Sequence, residues 1–398
     1  MTRTRTLLCL TAALCTAAAF PQAWAQHDAK VDAGQAASAT PVAMIYVASN
    51  PSNSSNNEIV AWSADANGKL TAVPGSPFQA DVTSMAVNGK YLFGSQRSGL
   101  AVEAWSIGSN GSLDFATSTS IPQGNDDCAS SGPIFFDHTG ASLYDLIARG
   151  SGCANNNYQA FNVQKSTGKL QNLGTKAVND WLYLPASFIG NNWFAYSASC
   201  IGNMYWGIFG FSRNSSGMLT ELNIGATVPT PPSGDFYCPS QAAADPTNHV
   251  AFTMQAVDQQ TFDSVGQPQI ASYTAATNGH LSTTNTSASM PYTAVVSVTD
   301  LSMSPSGKLL AVSGTGGLQI FHFNGASPVT AYTGLLTTSS IDQMFWDNSN
   351  HLYAISHKAG KLYVFTITPT GYSQASGSPY TVSNPENIIV QPWPLPWK

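Results

Sequence analysis

The chain has 398 residues, of which only 9% are charged and 43% are hydrophobic, and its formal net charge is −6. This acidic balance disfavours a nucleic-acid partner, because such binding depends on a surplus of lysine and arginine. Arginine is also scarce, and bidentate arginine contacts are the usual means of recognising a multiply charged phosphate. We therefore expect neither nucleic acid nor a phosphate-rich ligand.

The first 25 residues have the features of a signal peptide. Arg3 and Arg5 precede an apolar stretch at residues 7–20, and an Ala-Trp-Ala run ending at residue 25 has the small-x-small form of a cleavage site. We expect a periplasmic or secreted protein whose mature form begins at Gln26; the alternative is a retained N-terminal anchor. The apolar stretch is shorter than the about 20 residues that span a bilayer, so we expect no membrane-embedded domain.

Three segments follow the signal peptide. Residues 26–42 are rich in Ala, Ser, Asp and Gln without periodicity, which is typical of a disordered leader. The folded domain is predicted at residues 43–391. The tail at residues 392–398 contains too many prolines for a strand, and we expect its tryptophans to cover the domain; the alternative is a protein ligand for this tail.

Within the folded domain one pattern recurs seven times: an apolar run, an alternating run with an aromatic residue, and a polar turn with glycine and leucine. Glycine supplies the positive φ of a hairpin turn, and leucine begins the next strand. A repeat of roughly 40–60 residues is typical of four-stranded propeller blades. The sequence therefore predicts an all-β, seven-bladed β-propeller. The aromatic positions are Trp62, Trp105, Phe161, Phe211, Tyr273, Phe321 and Phe365.

The first repeat lacks its innermost strand, and a matching strand stands at the other end of the domain. Residues 386–392 match an innermost strand and have no second strand after them. The Gly-Ser-Pro-Tyr run at residues 377–380 precedes this strand just as Gly-Ser-Pro-Phe at residues 75–78 precedes the innermost strand of blade 2. We expect the C-terminal strand to complete blade 1 and close the ring, which removes an open sheet edge.

Four cysteines lie outside the signal peptide, an even number in a chain predicted to enter an oxidising compartment. Their places in neighbouring loops predict two disulfides, Cys128–Cys153 and Cys200–Cys238. The alternative is a zinc site, although none of the spacings is the close pair that such sites favour.

In a propeller, the loops before the innermost strands and the loops between second and third strands share one face, called the top face below. An acidic residue lies near the start of every innermost strand, which predicts a ring of carboxylates able to hold Ca²⁺ or to orient a polyhydroxylated ligand. The alternative is structural, because Asp favours turns and strand starts. The regularly spaced members are Asp81, Asp300, Asp342 and Glu386, and the others are Asp127, Asp180 and Asp235.

Few basic side chains are predicted on this face: Arg97, Arg149 and the adjacent His357 and Lys358. If a lactone is hydrolysed, His357 is the candidate general base, and Arg149 or Arg97 stabilises the oxyanion. The alternative for His357 is an ordinary solvated turn histidine.

A second acidic pair belongs to the same hypothesis. Asp126 and Asp127 stand directly before Cys128, and Arg149 stands shortly before Cys153. A disulfide between these cysteines brings Arg149 towards the two carboxylates, so Asp127 is a further candidate catalytic residue and Asp126 a candidate binding residue.

Three short runs build the blades: Tyr-Val-Ala-Ser at residues 46–49, Gly-Lys-Leu-Thr at residues 68–71 and Gly-Ser-Pro-Phe at residues 75–78. They resemble those of the lactonase-type seven-bladed propellers, the family of bacterial 6-phosphogluconolactonase-like proteins and fungal muconate-lactonizing enzymes. The resemblance covers residues 43–391. It implies the propeller fold and hydrolysis of a sugar-derived or organic lactone.

Enzymatic members of that family resemble one another in a Gly-Pro-Arg-His run before an innermost strand, where arginine and histidine face the substrate. In this chain the matching run is Gly132-Pro133-Ile134-Phe135, and the equivalent run of blade 5 reads Cys-Pro-Ser-Gln at residues 238–241. Two functions stay open. One is a monomeric lactonase with no cofactor or with a divalent cation, and the other is a non-catalytic propeller that binds a carbohydrate, a peptide or an envelope protein through its top face.

Overall fold

The computed structural model describes residues 40–51, 57–121, 129–149, 155–177, 184–201, 205–232 and 234–392. Every secondary-structure element within these ranges is a β-strand, and the strands form seven antiparallel sheets. These sheets are the blades of a propeller, so the predicted fold class is confirmed. The described residues contain no helix that is long and apolar enough to span a membrane. The signal peptide, the leader up to residue 39 and residues 393–398 lie outside the described residues.

In each blade the strands follow the order a, b, c, d from the innermost strand outwards, and in blades 2 to 7 strand a is followed by a turn into strand b. Blade 1 contains β31 (Pro385–Pro392), β1 (Ala43–Ser49), β2 (Glu58–Ala64) and β3 (Leu70–Ala72), with β4 (Phe78–Gln79) beside β2. Blade 2 contains β5 (Val82–Val87), β6 (Tyr91–Gln96), β7 (Ala101–Ile107) and β8 (Leu113–Ser120). Blade 3 contains β10 (Ile134–Phe136), β11 (Ser142–Arg149), β12 (Asn155–Val163) and β13 (Leu170–Ala177), with β9 (Ala129–Ser130) beside β11.

The remaining blades follow the same order. Blade 4 contains β14 (Ser187–Phe188), β15 (Phe194–Ile201), β16 (Tyr205–Arg213) and β17 (Leu219–Leu222). Blade 5 contains β18 (Asp235–Ala244), β19 (His249–Asp258), β20 (Ser264–Ala275) and β21 (Leu281–Ser282). Blade 6 contains β22 (Val298–Met303), β23 (Leu309–Gly314), β24 (Gly317–His322) and β25 (Thr330–Thr337). Blade 7 contains β26 (Gln343–Trp346), β27 (His351–Ser356), β28 (Lys361–Thr368) and β29 (Gly371–Gln374), with β30 (Tyr380–Thr381) beside β28.

The core lies between neighbouring blades rather than at the centre of the ring. Among the described residues the buried apolar side chains form seven clusters, one for each pair of adjacent blades. Strand alternation explains this, because successive side chains of one strand point to opposite faces of a sheet that is covered on both sides. Each apolar run of the sequence therefore contributes side chains to two interfaces between blades.

The strand β31 completes blade 1, as predicted from the sequence. It pairs antiparallel with β1, with Val390 opposite Ile45 and Ile388 opposite Val47. Ile388 packs in the cluster between blades 7 and 1, and its neighbour Ile389 packs in the cluster between blades 1 and 2. One strand thus supports two of the seven interfaces and covers the edge of β1.

One disulfide lies within the described residues and confirms half of the cysteine prediction. Cys200 at the top of blade 4 is bonded to Cys238 in strand a of blade 5, with their Cα atoms 5.3 Å apart. Cys128 and Cys153 lie outside the described residues.

The turn between strands c and d is seated directly against the preceding blade, and a glycine makes the contact. In six blades this glycine has a φ between 66° and 97°. A β-carbon there would lie 2.4–3.1 Å from the first residues of strand b in the preceding blade, closer than real β-carbon contacts. The pairs are Gly68 with His351, Gly111 with Met44, Gly168 with Tyr91, Gly217 with Ser142, Gly279 with Phe194, and Gly325 with His249.

Hydrogen bonds reinforce three of these contacts. The hydroxyl groups of buried tyrosines in strand b donate to the glycine carbonyl oxygen of the next blade, at distances of 2.6–2.9 Å. The pairs are Tyr46 with Gly111, Tyr144 with Gly217, and Tyr196 with Gly279. The repeated glycine of the sequence therefore has two roles: it adopts the positive φ of the turn, and it allows two blades to approach closely.

Deleting residues 384–398 is expected to abolish cooperative unfolding, because β1 loses its neighbour and two interfaces lose their side chains. The measurement is thermal denaturation followed by circular dichroism. The control is Glu221→Gln, since this residue of the outer strand of blade 4 is exposed. A truncated protein that kept the parental melting temperature would show that the ring is not closed by β31.

Gly279→Ala is expected to lower the free energy of unfolding by at least about 1–2 kcal/mol, the cost of positive φ for a residue with a β-carbon. The contact with Phe194 at 2.7 Å adds to this cost. The matched control is Gly371→Ala, whose glycine lacks a positive φ and has Oγ1 of Thr368 as its nearest neighbour at 3.9 Å. Urea denaturation measures both variants, and equal effects would contradict the role of the close approach.

Candidate functional site

The structure brings Arg97 together with two of the predicted carboxylates. Arg97, in the b–c turn of blade 2, donates from Nε to Oδ1 of Asp81 at 3.1 Å and from Nη2 to Oε2 of Glu386. Its backbone N–H also donates to the carbonyl oxygen of Asp81 at 3.0 Å. Asp81 lies just before strand a of blade 2, and Glu386 lies in strand a of blade 1. The guanidinium therefore bridges two blades on the top face.

The surroundings of Arg97 keep its charge fixed while leaving it accessible. The hydrogen bond that Arg97 donates to Glu386 is the largest influence on the pKa of Arg97, and with the two carboxylate charges it raises that pKa against the opposing effect of partial burial. The Arg97 side chain is 36% exposed. Solvent screens such ion pairs and leaves them little stabilising energy, so their main effect is to orient the guanidinium. No described residue accepts a hydrogen bond from its Nη1 atom.

His357 and Asp342 continue the cluster into blade 7. The backbone N–H of His357 donates to Oδ2 of Asp342 at 2.6 Å, and its ring Nδ1 lies 3.3 Å from the carbonyl oxygen of Pro385. If Nδ1 carries the proton and donates to this carbonyl, Nε2 is left with a free lone pair. Pro385 directly precedes Glu386. We call the five residues the charged arc: Asp81, Arg97, Asp342, His357 and Glu386.

Asp300 lies in the wall between blades 6 and 7 and not in the charged arc. Its carboxylate accepts a hydrogen bond from the backbone N–H of Leu301 at 2.8 Å and another from Met344, in strand a of blade 7, at 2.8 Å. Gln343 and Asn387 accept N–H bonds in the same way from strand a of the next blade. Burial raises the pKa of Asp300 to about 6 in spite of these bonds. The side chain thus ties two innermost strands together.

A buried carboxyl group in blade 3 was not predicted from the sequence. Asp145 in β11 has no exposed surface, and it accepts hydrogen bonds from the hydroxyl of Ser131 at 2.7 Å and from the N–H of Gly132 at 3.0 Å. Ser131 is in turn 2.5 Å from the hydroxyl of Ser95 in blade 2. Burial raises the pKa of Asp145 to about 7, against the two hydrogen bonds. Its only sequence signal is an acid within the apolar run Ser142–Arg149.

The positions at which the resemblance implies arginine and histidine are core positions in this chain. Ile134 is 4% exposed and packs between blades 2 and 3. Phe135 stacks on Tyr144 with ring centroids 5.2 Å apart and meets Tyr158 edge-on at 5.4 Å. A catalytic pair at these two positions is therefore replaced by packing.

The other predicted site residues lie outside the described residues, are described by their backbone only, or stand beside the charged arc. Asp126, Asp127 and Asp180 lie outside the described residues. The structure describes the backbone of Arg149, which ends β11 and pairs with Asn155. Lys358 is exposed on the turn beside the charged arc.

The last of the predicted acidic residues, Asp235, lies in blade 5. Asp235 begins β18 opposite Asp258, away from the arc. Within the described ranges, no group of three or more His, Cys, Asp and Glu side chains is arranged to hold a metal ion. The Ca²⁺ site stays a prediction.

No protein-family model matches the chain. No curated protein matches it either. Solved structures do match over most of the chain. A candidate 6-phosphogluconolactonase from Bacteroides fragilis has a TM-score of 0.64 at 13% identity, covering 89% of this chain and 99% of its own. The periplasmic gluconolactonase of Pseudomonas aeruginosa has a TM-score of 0.61 at 12% identity, covering 88% and 99%.

A second candidate 6-phosphogluconolactonase, from Bacteroides uniformis, has a TM-score of 0.59 at 12% identity, covering 88% of this chain and 100% of its own. These neighbours share the propeller fold of this chain, so the fold that the resemblance implied is confirmed. At such low identity the likeness extends to the fold alone, and function has to be argued from the site.

Asp145→Asn is expected to make the stability of the protein less dependent on pH. The folded pKa of about 7 exceeds the ordinary value of 3.8, so the folded state holds this proton more tightly. The carboxyl therefore costs stability as the pH rises from about 4 to 7, by up to about 4 kcal/mol. The melting temperature of the variant relative to the parent should increase from pH 5 to pH 8.

The matched control is Asp114→Asn, because Asp114 is an exposed carboxylate in the outer strand of blade 2. Its melting temperature should follow that of the parent over the same pH range. A constant difference between Asp145→Asn and the parent would mean that Asp145 titrates normally.

Proposed function

We propose that the protein is an exported lactonase that hydrolyses a small lactone at the charged arc. The observation that carries the proposal is the arc itself, in which the fixed guanidinium of Arg97 and the ring of His357 both contact the segment Pro385–Glu386. Two further observations support it. The fold is shared with a periplasmic gluconolactonase, and the Cys200–Cys238 disulfide suits an oxidising compartment.

The arc contains the two groups that lactone hydrolysis requires, a base for the attacking water and a positive charge for the oxyanion. Water adds to the carbonyl carbon while Nε2 of His357 takes its proton. The hydrogens on Nη1 of Arg97 stabilise the negative charge on the carbonyl oxygen. The bond between the carbonyl carbon and the ring oxygen then breaks, His357 returns its proton to that oxygen, and the product is a hydroxy acid.

The charges of the arc restrict the substrate. The arc contains three carboxylates and one guanidinium, and two of the carboxylates, Asp81 and Glu386, already occupy two sides of that guanidinium. A phosphorylated lactone would meet this negative surface with one partly neutralised arginine, whereas phosphate recognition favours several basic groups. The arc therefore suits a neutral sugar-derived or organic lactone whose hydroxyl groups can donate to Asp342.

His357→Gln is expected to lower kcat/KM by about 100-fold or more, the usual effect of losing a general base. The measurement is a pH-indicator assay of the purified protein against neutral sugar and aliphatic lactones. The control is His280→Gln, because His280 is exposed in a c–d turn on the opposite face. Circular dichroism checks that both variants are folded.

The variant Arg97→Gln tests the second role, stabilisation of the oxyanion, separately from the general base. Its kcat/KM should fall by about 100-fold or more through loss of oxyanion stabilisation, while the base is unchanged. If the folded parent hydrolyses no lactone of the panel, the proposal is wrong. If the parent is active and both arc variants keep that activity, the reaction takes place elsewhere.

A further inference from the structure

Blade 5 is taller than blades 2, 6 and 7. Its strands β18, β19 and β20 have 10, 10 and 12 residues, whereas the b strands of blades 1, 2, 6 and 7 have six or seven. Both pairings of β19 contain register shifts, and its hairpin continues to a tip at residues 259–263. Because each strand residue adds about 3.3 Å, the extra residues raise this hairpin roughly 10 Å above the b–c turns of blades 2, 6 and 7.

The d–a loop between blades 5 and 6 forms a second wall beside this hairpin. The Gln269 side chain donates to the carbonyl oxygens of Ser287 and Met290 at 2.8 Å each. At its other end the loop lies against the b–c turn of blade 6. A β-carbon on Gly314 would come within 2.6 Å of two carbonyl oxygens of this loop, so glycine is required for that approach. Both ends of the loop are therefore held.

A cavity of about 280 Å³ lies between these two walls on the top face. None of its lining side chains is charged. Hydroxyl groups and an amide supply the polar surface, and Pro268 and Val296 supply apolar surface. The Gln255 amide donates to three backbone carbonyl oxygens of the hairpin, which fixes its orientation. The lining residues are Cys200, Ser240, Gln255, Ser264, Gly266, Pro268, Val296, Ser297 and Val298.

Two aromatic residues beside the cavity are exposed. Phe262 at the hairpin tip stands two residues before Ser264; it meets Phe236 edge-on, with ring centroids 6.5 Å apart, and is still 41% exposed. Tyr292 is 59% exposed and lies opposite Gln269, the residue after Pro268. Most aromatic side chains of the described residues are buried, and these two keep part of their ring surface accessible to solvent.

The backbone of Phe262 is strained. Its φ is +59°, a conformation that costs roughly 1–2 kcal/mol for a residue with a β-carbon and is normally taken by glycine or asparagine. The tip does not need an aromatic residue for its backbone, because the hydrogen bond from the Phe262 N–H to the Asp258 carbonyl involves main chain only. Strain at an exposed side chain is typical of functional sites.

We propose that this cavity and its two aromatic residues bind a neutral carbohydrate. The ring faces of Phe262 and Tyr292 suit the apolar C–H face of a sugar, and the serine hydroxyls and Gln255 suit its hydroxyl groups. Ligand pockets usually measure about 300–1,000 Å³, so this smaller cavity holds one sugar ring while the rest of an oligosaccharide lies along the rim. The acidic Asp258 and Asp263 of the tip repel anionic ligands.

This site does not depend on the proposed lactonase. It uses residues of blades 4 to 6, whereas the charged arc uses residues of blades 7, 1 and 2. Binding and hydrolysis can therefore be measured and can fail separately.

The test is isothermal titration of the full mature protein with short neutral cello-, malto-, xylo- and N-acetylated chito-oligosaccharides. The informative variant is Phe262→Gly, which removes the ring and also relieves the positive φ. We expect at least one oligosaccharide to bind, and Phe262→Gly to weaken that binding roughly tenfold or more while its melting temperature is unchanged or higher. Tyr292→Ala should weaken binding in the same direction.

The matched control is Phe115→Ala, which removes an aromatic residue that is 61% exposed in the outer strand of blade 2. It should bind as the parent does, and so should His357→Gln, whatever its activity. The proposal is overturned if no oligosaccharide of the panel binds, if Phe262→Gly binds as tightly as the parent, or if a sulfated oligosaccharide binds more tightly than its neutral counterpart.

Discussion

The close contact between each c–d turn and strand b of the preceding blade sets the geometry of the ring. A glycine at this place has positive φ and leaves no room for a β-carbon, so the turn rests directly on its neighbour. Six of the seven seams use the same contact, so each of these turns fixes how closely its blade approaches the preceding one. Blade 7 departs from this rule, and at its seam Tyr372 instead meets Tyr332 of blade 6 edge-on at 5.7 Å.

The fold could be predicted from the sequence because its determinants are local and repeated. Each blade contacts only its two neighbours, so the same turn glycine recurs in six repeats and the same aromatic register in all seven. The closure of the ring was also predictable, since the Gly-Ser-Pro run before β31 matches the one before β5. The Cys200–Cys238 bond followed from the order of the loops once the blades were known.

The candidate site was less predictable because it depends on details that no repeat contains. Arg97 and Glu386 are 289 residues apart and meet only through the circular order of the blades. Asp300 and Asp342 both stand near a strand start, yet a difference of one residue in register directs Asp300 into the wall between blades and leaves Asp342 on the rim. The height of blade 5 depends on strand lengths and register shifts. The burial of Asp145 depends on its side chain facing inward from an apolar strand, which the repeat does not indicate.

The completion of blade 1 by β31 also constrains how the protein comes into being. Strand β1 leaves the ribosome early, but its inner neighbour follows more than 300 residues later, as does the Asn384 carbonyl oxygen that accepts a bond from Asn50. During that interval β1 presents an unpaired edge, which is the kind of surface on which chains aggregate. Such a long separation also slows folding. The ring therefore closes only after its last strand has been made, so the complete domain forms after synthesis of the whole sequence up to β31.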